Sequence, residues 1–368
     1  DDHKDLPRYL ASITLTQMLF DGWDAHYEVM QQQARVRSAA HRVRETAELV
    51  GLSIVEAYLE VMRQRELLKI ARQNVGKHLN ILEQIQEGVD AGRSTEADLD
   101  QAGARLAQAR ATVANTVQAL RNAEAQYLRE VGVMPGELKE PVIPYDVLDG
   151  GVNEMVHSVL AHSPTIDIFE ADIEAAYAEA QGTKSTYYPQ VDLELNATQG
   201  TNLNGVEDRD RGASALLVMN WNLYRGGADV ARAREFMYRH QQAKEARADA
   251  ARSVENDVRQ TWASMIAARE REEQFTLQAK ANDNIVGAYL DQFSLNRRTL
   301  LDVLDAQNEL FVSRSNAINA KYLEIFAVYR LIALSGTLLP TLGVEYPEET
   351  KITSEARWYF EEEKERAY

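Results

Sequence analysis

The sequence predicts a mainly α-helical chain with a membrane β-barrel part, in which long antiparallel coiled-coil hairpins follow short strands. Three observations carry that reading. The eight prolines leave residues 8–134 and 190–339 free of proline, and only such spans can hold very long helices, because proline removes a backbone donor and clashes with the preceding turn. A shift of 204 residues aligns the two halves without a gap, the mark of a tandem repeat. Three stretches of about ten residues alternate apolar with polar side chains, the period of a strand with two unlike faces.

In chain order, the first repeat spans residues 1–131. It opens with a strand at 9–20 (YLASITLTQMLF), in which Ile13, Leu15 and Leu19 face one way and Ser12, Thr14 and Thr16 the other. A helical hairpin follows at 25–131, its outgoing arm running to about residue 90, or ~100 Å at 1.5 Å per residue. A turn lies between Gly88 and Gly92. In the returning arm Leu99, Ala102, Leu106, Ala109, Val113, Thr116, Leu120, Ala123 and Tyr127 step by three and four, which makes a heptad seam. Residues 132–151, with Pro135, Pro141, Pro144 and glycines at both ends, read as an irregular connector.

The second repeat spans 152–342. It begins with a leading helix (152–182) and a strand (189–198) in which Val191, Leu193, Leu195 and Ala197 alternate with polar residues. A further strand (213–224) places Ala215, Leu217, Met219, Trp221 and Leu223 on one face. The hairpin at 228–335 carries the seam Val303, Ala306, Leu310, Ser313, Ala317, Ala320, Ala327 and Leu331, with Glu324 as a misfit. In the 204-residue register Gly22 falls on Gly226, Arg93 on Arg297, Thr95 on Thr299, Asp98 on Asp302 and Gly132 on Gly336. Residues 343–368 read as an acidic, solvated C-terminal tail.

An ordinary antiparallel sheet packed on a core also explains the alternating strands. Two details weigh for a membrane: the strands have the length that crosses a bilayer at a tilt, and Phe20, Trp23, Tyr187, Tyr188, Trp221 and Tyr224 gather at the strand ends that join helices, as an aromatic girdle does. The helical seams are narrow and rich in alanine and threonine. They suit coiled coils laid side by side around water, and equally a soluble coiled-coil scaffold.

Composition narrows the function. A net charge of −17, from 40 basic and 57 acidic side chains, argues against nucleic-acid binding, which needs a basic face. With no cysteine, disulfides and thiolate metal sites are excluded. The near-pair His157 and His162 is spaced i, i+5, off the face that two helical metal ligands share. No nucleophile elbow, phosphate loop or other catalytic pattern is present, so neither an enzyme nor a cofactor is expected.

Strands ending in LFDGW and LYRGG, the turn motif NRRTLLDVLDAQNEL (296–310), and SPTIDIFEADIEAAYAEA (163–180) followed by YYPQVDLEL (187–195) resemble the TolC-like outer-membrane efflux protein family. The resemblance runs from about residue 9 to 342. It implies a homotrimer in which each protomer gives four strands to one shared transmembrane barrel and its hairpins to a periplasmic α-barrel tunnel. It further implies an outer-membrane location in contact with lipid, a periplasmic adaptor protein, and an inner-membrane ABC or RND transporter. The implied function is a passive exit duct, leaning toward type I protein secretion, with multidrug efflux as the alternative and a soluble periplasmic scaffold as the alternative of another class.

The resemblance also assigns sites. Asp302 and Asp305 are the implied gate carboxylates of the tunnel, while Asp98, Arg298 and Phe293 match positions that hold the entrance shut. Phe293 stands where the familiar motif has a tyrosine, so one hydroxyl bond of that lock is missing. The family pattern further leads to the expectation that a helix, a strand and a signal peptide precede this sequence, which opens on Asp1.

Overall fold

A computed structural model describes residues 7–145, 150–203, 207–295 and 297–351. The chain divides into two units. One takes residues up to Arg42, Thr165–Ala250 and those from Glu349; the other takes Val43–Pro164 and Ala251–Glu348. Of the expected tail, residues 352–368 lie outside the described residues, as do 146–149 of the connector. The described part, 343–351, corrects the reading of a wholly solvated tail, since Tyr346 is half-buried and hydrogen-bonded to Glu48 and to the Gly336 carbonyl.

In the first unit, β1 (Tyr9–Phe20), β2 (Gln190–Thr201) and β3 (Arg209–Asn220) form an antiparallel sheet with β2 in the middle. Its register sets Ile13 beside Ala197 and Ala213, Leu15 beside Leu195 and Ala215, and Leu193 beside Leu217. The other face carries Ser12, Thr198 and Gly212, then Thr14, Asn196 and Ser214, and further along the carboxylates Glu194, between Thr16 and Leu216, and Asp192, between Met18 and Val218. The strand read at 213–224 therefore needs correcting: it runs 209–220. It pairs with β2 along its whole length and stops where β2 begins at Gln190, since Pro189 has no N–H to extend the ladder. Trp221 and Leu223 thus lie beyond the ladder, and the Trp221 indole N–H donates to the Tyr187 carbonyl at 3.2 Å.

The strand-to-helix corners repeat one backbone device. Gly22 and Trp23 have φ of 73° and 71°, and Gly226 and Gly227 have 61° and 84°. A Cβ at Gly22 would lie 2.7 Å from the Ser185 carbonyl oxygen, so no other residue fits there. Asp21 accepts from the Ala25 amide at 2.7 Å and so starts the helix.

The helices α1 (Asp24–Asp90) and α5 (Ala228–Ser294) are each 67 residues long, and α2 (Glu96–Val131) and α6 (Leu300–Leu334) return from them. The leading helix read at 152–182 is two helices, α3 (Val152–His162) and α4 (Pro164–Gly182). Ser163 between them is extended, because a residue before proline is pushed out of the helical region. Gly336 (φ 68°) lies against that break, where a Cβ would meet the Pro164 ring at 2.5 Å.

In the second unit the seam positions carry the packing. Ala102, Leu106, Ala109 and Ala123 of α2 are buried, and so are Val303, Ala306, Leu310, Ser313, Ala320, Ala327 and Leu331 of α6. Glu324, the seam's misfit, is buried as well. It accepts from Arg269 Nε and from the Tyr145 hydroxyl, each at 2.8 Å, which supplies the pairing a buried carboxylate requires. The connector is tied to this unit through Tyr145 and through its carbonyls, Val142 accepting from Tyr329 and Lys139 from Tyr58. The short helix α7 (Leu338–Thr341) follows α6, and among the described residues no helix is long and apolar enough to cross a membrane.

Candidate functional site

Two places carry the candidate residues. The first is the pair of hairpin turns in the second unit. At the α1–α2 turn the amides of Arg93 and Ser94 both donate to the Gly88 carbonyl, and at the α5–α6 turn Arg297 donates to Gln292. Each returning helix then opens with a complete capping box. Thr95 and Asp98 exchange side-chain and backbone hydrogen bonds, and Thr299 and Asp302 do the same. The two turns are joined by a buried apolar cluster of Ile81, Ile85, Ala102, Leu300, Val303 and Leu304, with Leu99, Tyr289, Leu290 and Phe293 packed against it.

Around this cluster the polar candidates have definite partners. Asp302 Oδ2 accepts from the Thr299 hydroxyl at 2.7 Å and faces Arg298 at 3.8 Å. The Thr299 hydroxyl bond, helped by the Arg298 charge, holds the Asp302 carboxyl below its usual range. Arg298 stacks over the Tyr289 ring at 4.1 Å and donates to Gln292 at 3.2 Å. The structure thus brings Arg298 and Asp302 together. It places Phe293 against the apolar cluster, and gives Asp98 its hydrogen bonds with Thr95. Asp305 accepts from Arg105 of α2 at 2.9 Å. Arg105 was not visible as a site residue in the sequence, since its partner is 200 residues away and its position in the second repeat is Glu309. Among the described residues no group of three or more histidines or carboxylates gathers to hold a metal ion.

Beneath Arg105 lies His78 of α1, only 4% exposed, its Nδ1 without a hydrogen-bond partner. Burial, reinforced by the Arg105 charge, pushes its imidazole below the ordinary 6.5. The unfolded chain therefore takes up this proton first, and the contribution of neutral His78 to stability is lost as pH falls from about 6.5 through the lowered value. Thermal midpoints of wild type and His78→Gln between pH 7.5 and 5 should diverge as pH falls, with the wild type losing more. Parallel curves would show that His78 carries no such linkage.

The second place is the sheet of the first unit. Ile13 is 76% exposed and Leu217 68%, and Leu15 and Met219 lie as open on the same face. The opposite, polar face is uncovered too along most of β1 and β3. Burying apolar surface is worth about 25 cal/mol per Å², so a bare apolar face of this size demands an apolar neighbour. At one end of the sheet Phe20 pairs with Val191, itself beside Met219. The six aromatic candidates are sequence neighbours of that end. Trp23 packs edge-on to Phe20 with ring centres 6.2 Å apart, Tyr187 and Tyr188 precede β2, and Trp221 and Tyr224 follow β3; all but Phe20 are exposed.

The chain is similar to known proteins along most of its length. The chain is 25% identical over 361 residues to the outer membrane efflux protein BepC of Brucella suis, spanning 95% of this chain and 78% of that protein. It is 23% identical over 357 residues to the alkaline protease secretion protein AprF of Pseudomonas aeruginosa, spanning 92% and 71%. The fold superimposes on the crystal structure of the outer membrane protein VceC of Vibrio cholerae with a TM-score of 0.74 at 15% identity, covering 93% of this chain and 88% of that one. The profile of the outer membrane efflux proteins matches residues 2–132 and 155–337. With both hairpins and the sheet inside those matches, the chain belongs to the outer membrane efflux protein family, whose members are outer-membrane export channels and not enzymes.

Proposed function

We propose that the chain is one protomer of a trimeric channel-tunnel, the passive exit duct of a tripartite export system. The observation that carries this reading is the sheet: 12-residue strands, one face bearing exposed Ile13, Leu15, Leu217 and Met219, the other mostly polar, and, among the described residues, an unpaired edge on β1 and on β3. Open edges of this kind ask for pairing with other strands, and closing the sheet with copies from two further protomers leaves the apolar face to lipid and the polar face to water. A soluble scaffold gives the bare apolar face no neighbour. The equal lengths of α1 and α5, the paired capping boxes and the paired glycine corners support descent from a tandem duplication.

The tunnel would extend into the periplasm, where an adaptor grips the turns around 85–99 and 289–305 and an inner-membrane ABC or RND transporter supplies energy. Asp302 and Asp305 of three protomers form the gate, a ring of negative potential that admits cations and is blocked by multivalent ones. The TLLDVLDAQNEL form of the turn, together with the likeness to a protease secretion protein, favours type I secretion. Efflux of small compounds is the second reading, favoured by the likeness to BepC.

Purified protein in a planar bilayer is expected to give discrete conductance steps that micromolar to millimolar La3+ closes. Asp302→Ala combined with Asp305→Ala should retain the steps and lose the block. A protein that yields no steps would sink the channel reading, and unchanged block in the double variant would remove the gate from these two residues.

A further inference from the structure

We infer that Arg105 sets the cation affinity of the gate by neutralising Asp305 within each protomer, so that Asp302 supplies most of the free negative charge. The inference rests on the gate reading above. It starts from an asymmetry between two carboxylates three residues apart on one helix face. Asp302 spends Oδ2 on its own cap, accepting from the Thr299 amide and hydroxyl, and its cation Arg298 stands 3.8 Å away. Arg298 is itself engaged by the Tyr289 ring and by Gln292. Asp305 instead receives a direct charged hydrogen bond of 2.9 Å from the Arg105 guanidinium, which reaches across from the other hairpin.

Both partners are accessible: the Arg105 side chain is 31% exposed and that of Asp305 53%. Such an exposed pair contributes little to folding. Its consequence is electrostatic. Each protomer carries one carboxylate cancelled at hydrogen-bond distance and one that is not, so a three-fold assembly presents a weaker negative ring than its six aspartates imply. A multivalent ion feels every uncancelled charge within a Debye length, about 8–10 Å in physiological salt, and removing three guanidinium charges from that radius strengthens its binding. Arg105 is therefore a specificity-determining residue, tuning how readily the entrance is blocked by multivalent cations and how strongly it prefers cations over anions.

The test is La3+ block of single channels in planar bilayers, with the assembled wild-type protein and five variants. Arg105→Gln should lower the half-blocking concentration at least about fivefold and raise cation selectivity, measured as reversal potential in a salt gradient. Arg105→Lys, which keeps the charge, should stay within twofold of wild type. Asp305→Asn, which strands the guanidinium, should weaken block. Arg105→Gln with Asp305→Asn removes one charge of each sign and should return block to the wild-type value, an outcome a purely structural role for the pair would not produce. A half-blocking concentration and reversal potential in Arg105→Gln equal to wild type would overturn the inference. If at the same time the Asp302/Asp305 double alanine variant loses block, the gate reading stands without it; if the double variant is blocked like wild type, the gate reading is what failed.

Discussion

Leu304→Ala is expected to loosen the hairpin turns more than any other single truncation there. Leu304 is fully buried, and it sits at the centre of the cluster that joins the two turns, with Ile81 and Ile85 from α1, Ala102 from α2 and Leu300 and Val303 beside it. Removing its isobutyl group loses the transfer free energy and leaves a cavity, a cost of about 2–5 kcal/mol. At 1.4 kcal/mol per factor of ten, amides of residues 81–89 and 300–304 should exchange with solvent roughly one and a half to three and a half orders of magnitude faster. Because the proposed gate carboxylates Asp302 and Asp305 are neighbours of the cluster residues Val303 and Leu304, the resting conductance of the proposed channel should rise as well. Leu304→Met, which conserves volume, should cost less than about 1.5 kcal/mol. Unchanged exchange in the alanine variant would show that the cluster does not hold the turns together.

Glu48→Ala should have the second-largest effect, at the opposite end of α6. Glu48 of α1 is 2% exposed and accepts from the Leu338 amide at 2.9 Å, the Leu339 amide at 3.4 Å and the Tyr346 hydroxyl. Burial, with the Glu48 contact, pushes the Tyr346 hydroxyl up to about 12. The hydroxyl oxygen also lies 2.6 Å from the Gly336 carbonyl, so its one proton is shared between the two acceptors. Arg44 donates to the same carbonyl at 2.9 Å while stacking over the Tyr346 ring. Alanine leaves buried amides without an acceptor, at about 1–3 kcal/mol for each group left unpaired. The thermal midpoint of the purified protein should fall, and limited proteolysis should cut after residue 336. Glu48→Gln, which keeps one acceptor oxygen, should fall in between. A midpoint equal to wild type in the alanine variant would mean that water replaces the carboxylate at no cost.

Much of this architecture is legible before any coordinates. The capping boxes follow from Thr95 and Asp98 recurring as Thr299 and Asp302, because an N-cap is a local contest between one side chain and three backbone amides. The corners follow from Gly22 and Gly226, since a positive φ is a local demand. The buried seam positions follow from spacing alone, which is all that a narrow helix–helix contact requires. Other features were out of reach. Glu324 breaks the seam pattern, and nothing near it in sequence names Arg269 and Tyr145 as its partners. Pro164 was in plain view, and the extended Ser163 before it is a local consequence, but nothing in the sequence shows that Gly336 packs against its ring. The buried polar residues His78, Asn74 and Gln307 gave no signal, Asn74 and Gln307 meeting 233 residues apart.

The candidate gate divides in the same way. The sequence by itself determined the positions of Asp302 and Asp305, one helical turn apart at the start of α6, because propensity, capping and heptad spacing are properties of neighbouring residues. Only the tertiary structure decided that Asp305 meets Arg105 at hydrogen-bond distance while Asp302 keeps Arg298 at 3.8 Å, that β3 ends at Asn220 rather than Tyr224, and that the apolar side chains of the sheet lie largely exposed. Each of those outcomes depends on a partner from a distant part of the chain, or on the lack of one, and no local pattern encodes which distant side chain arrives within hydrogen-bond reach.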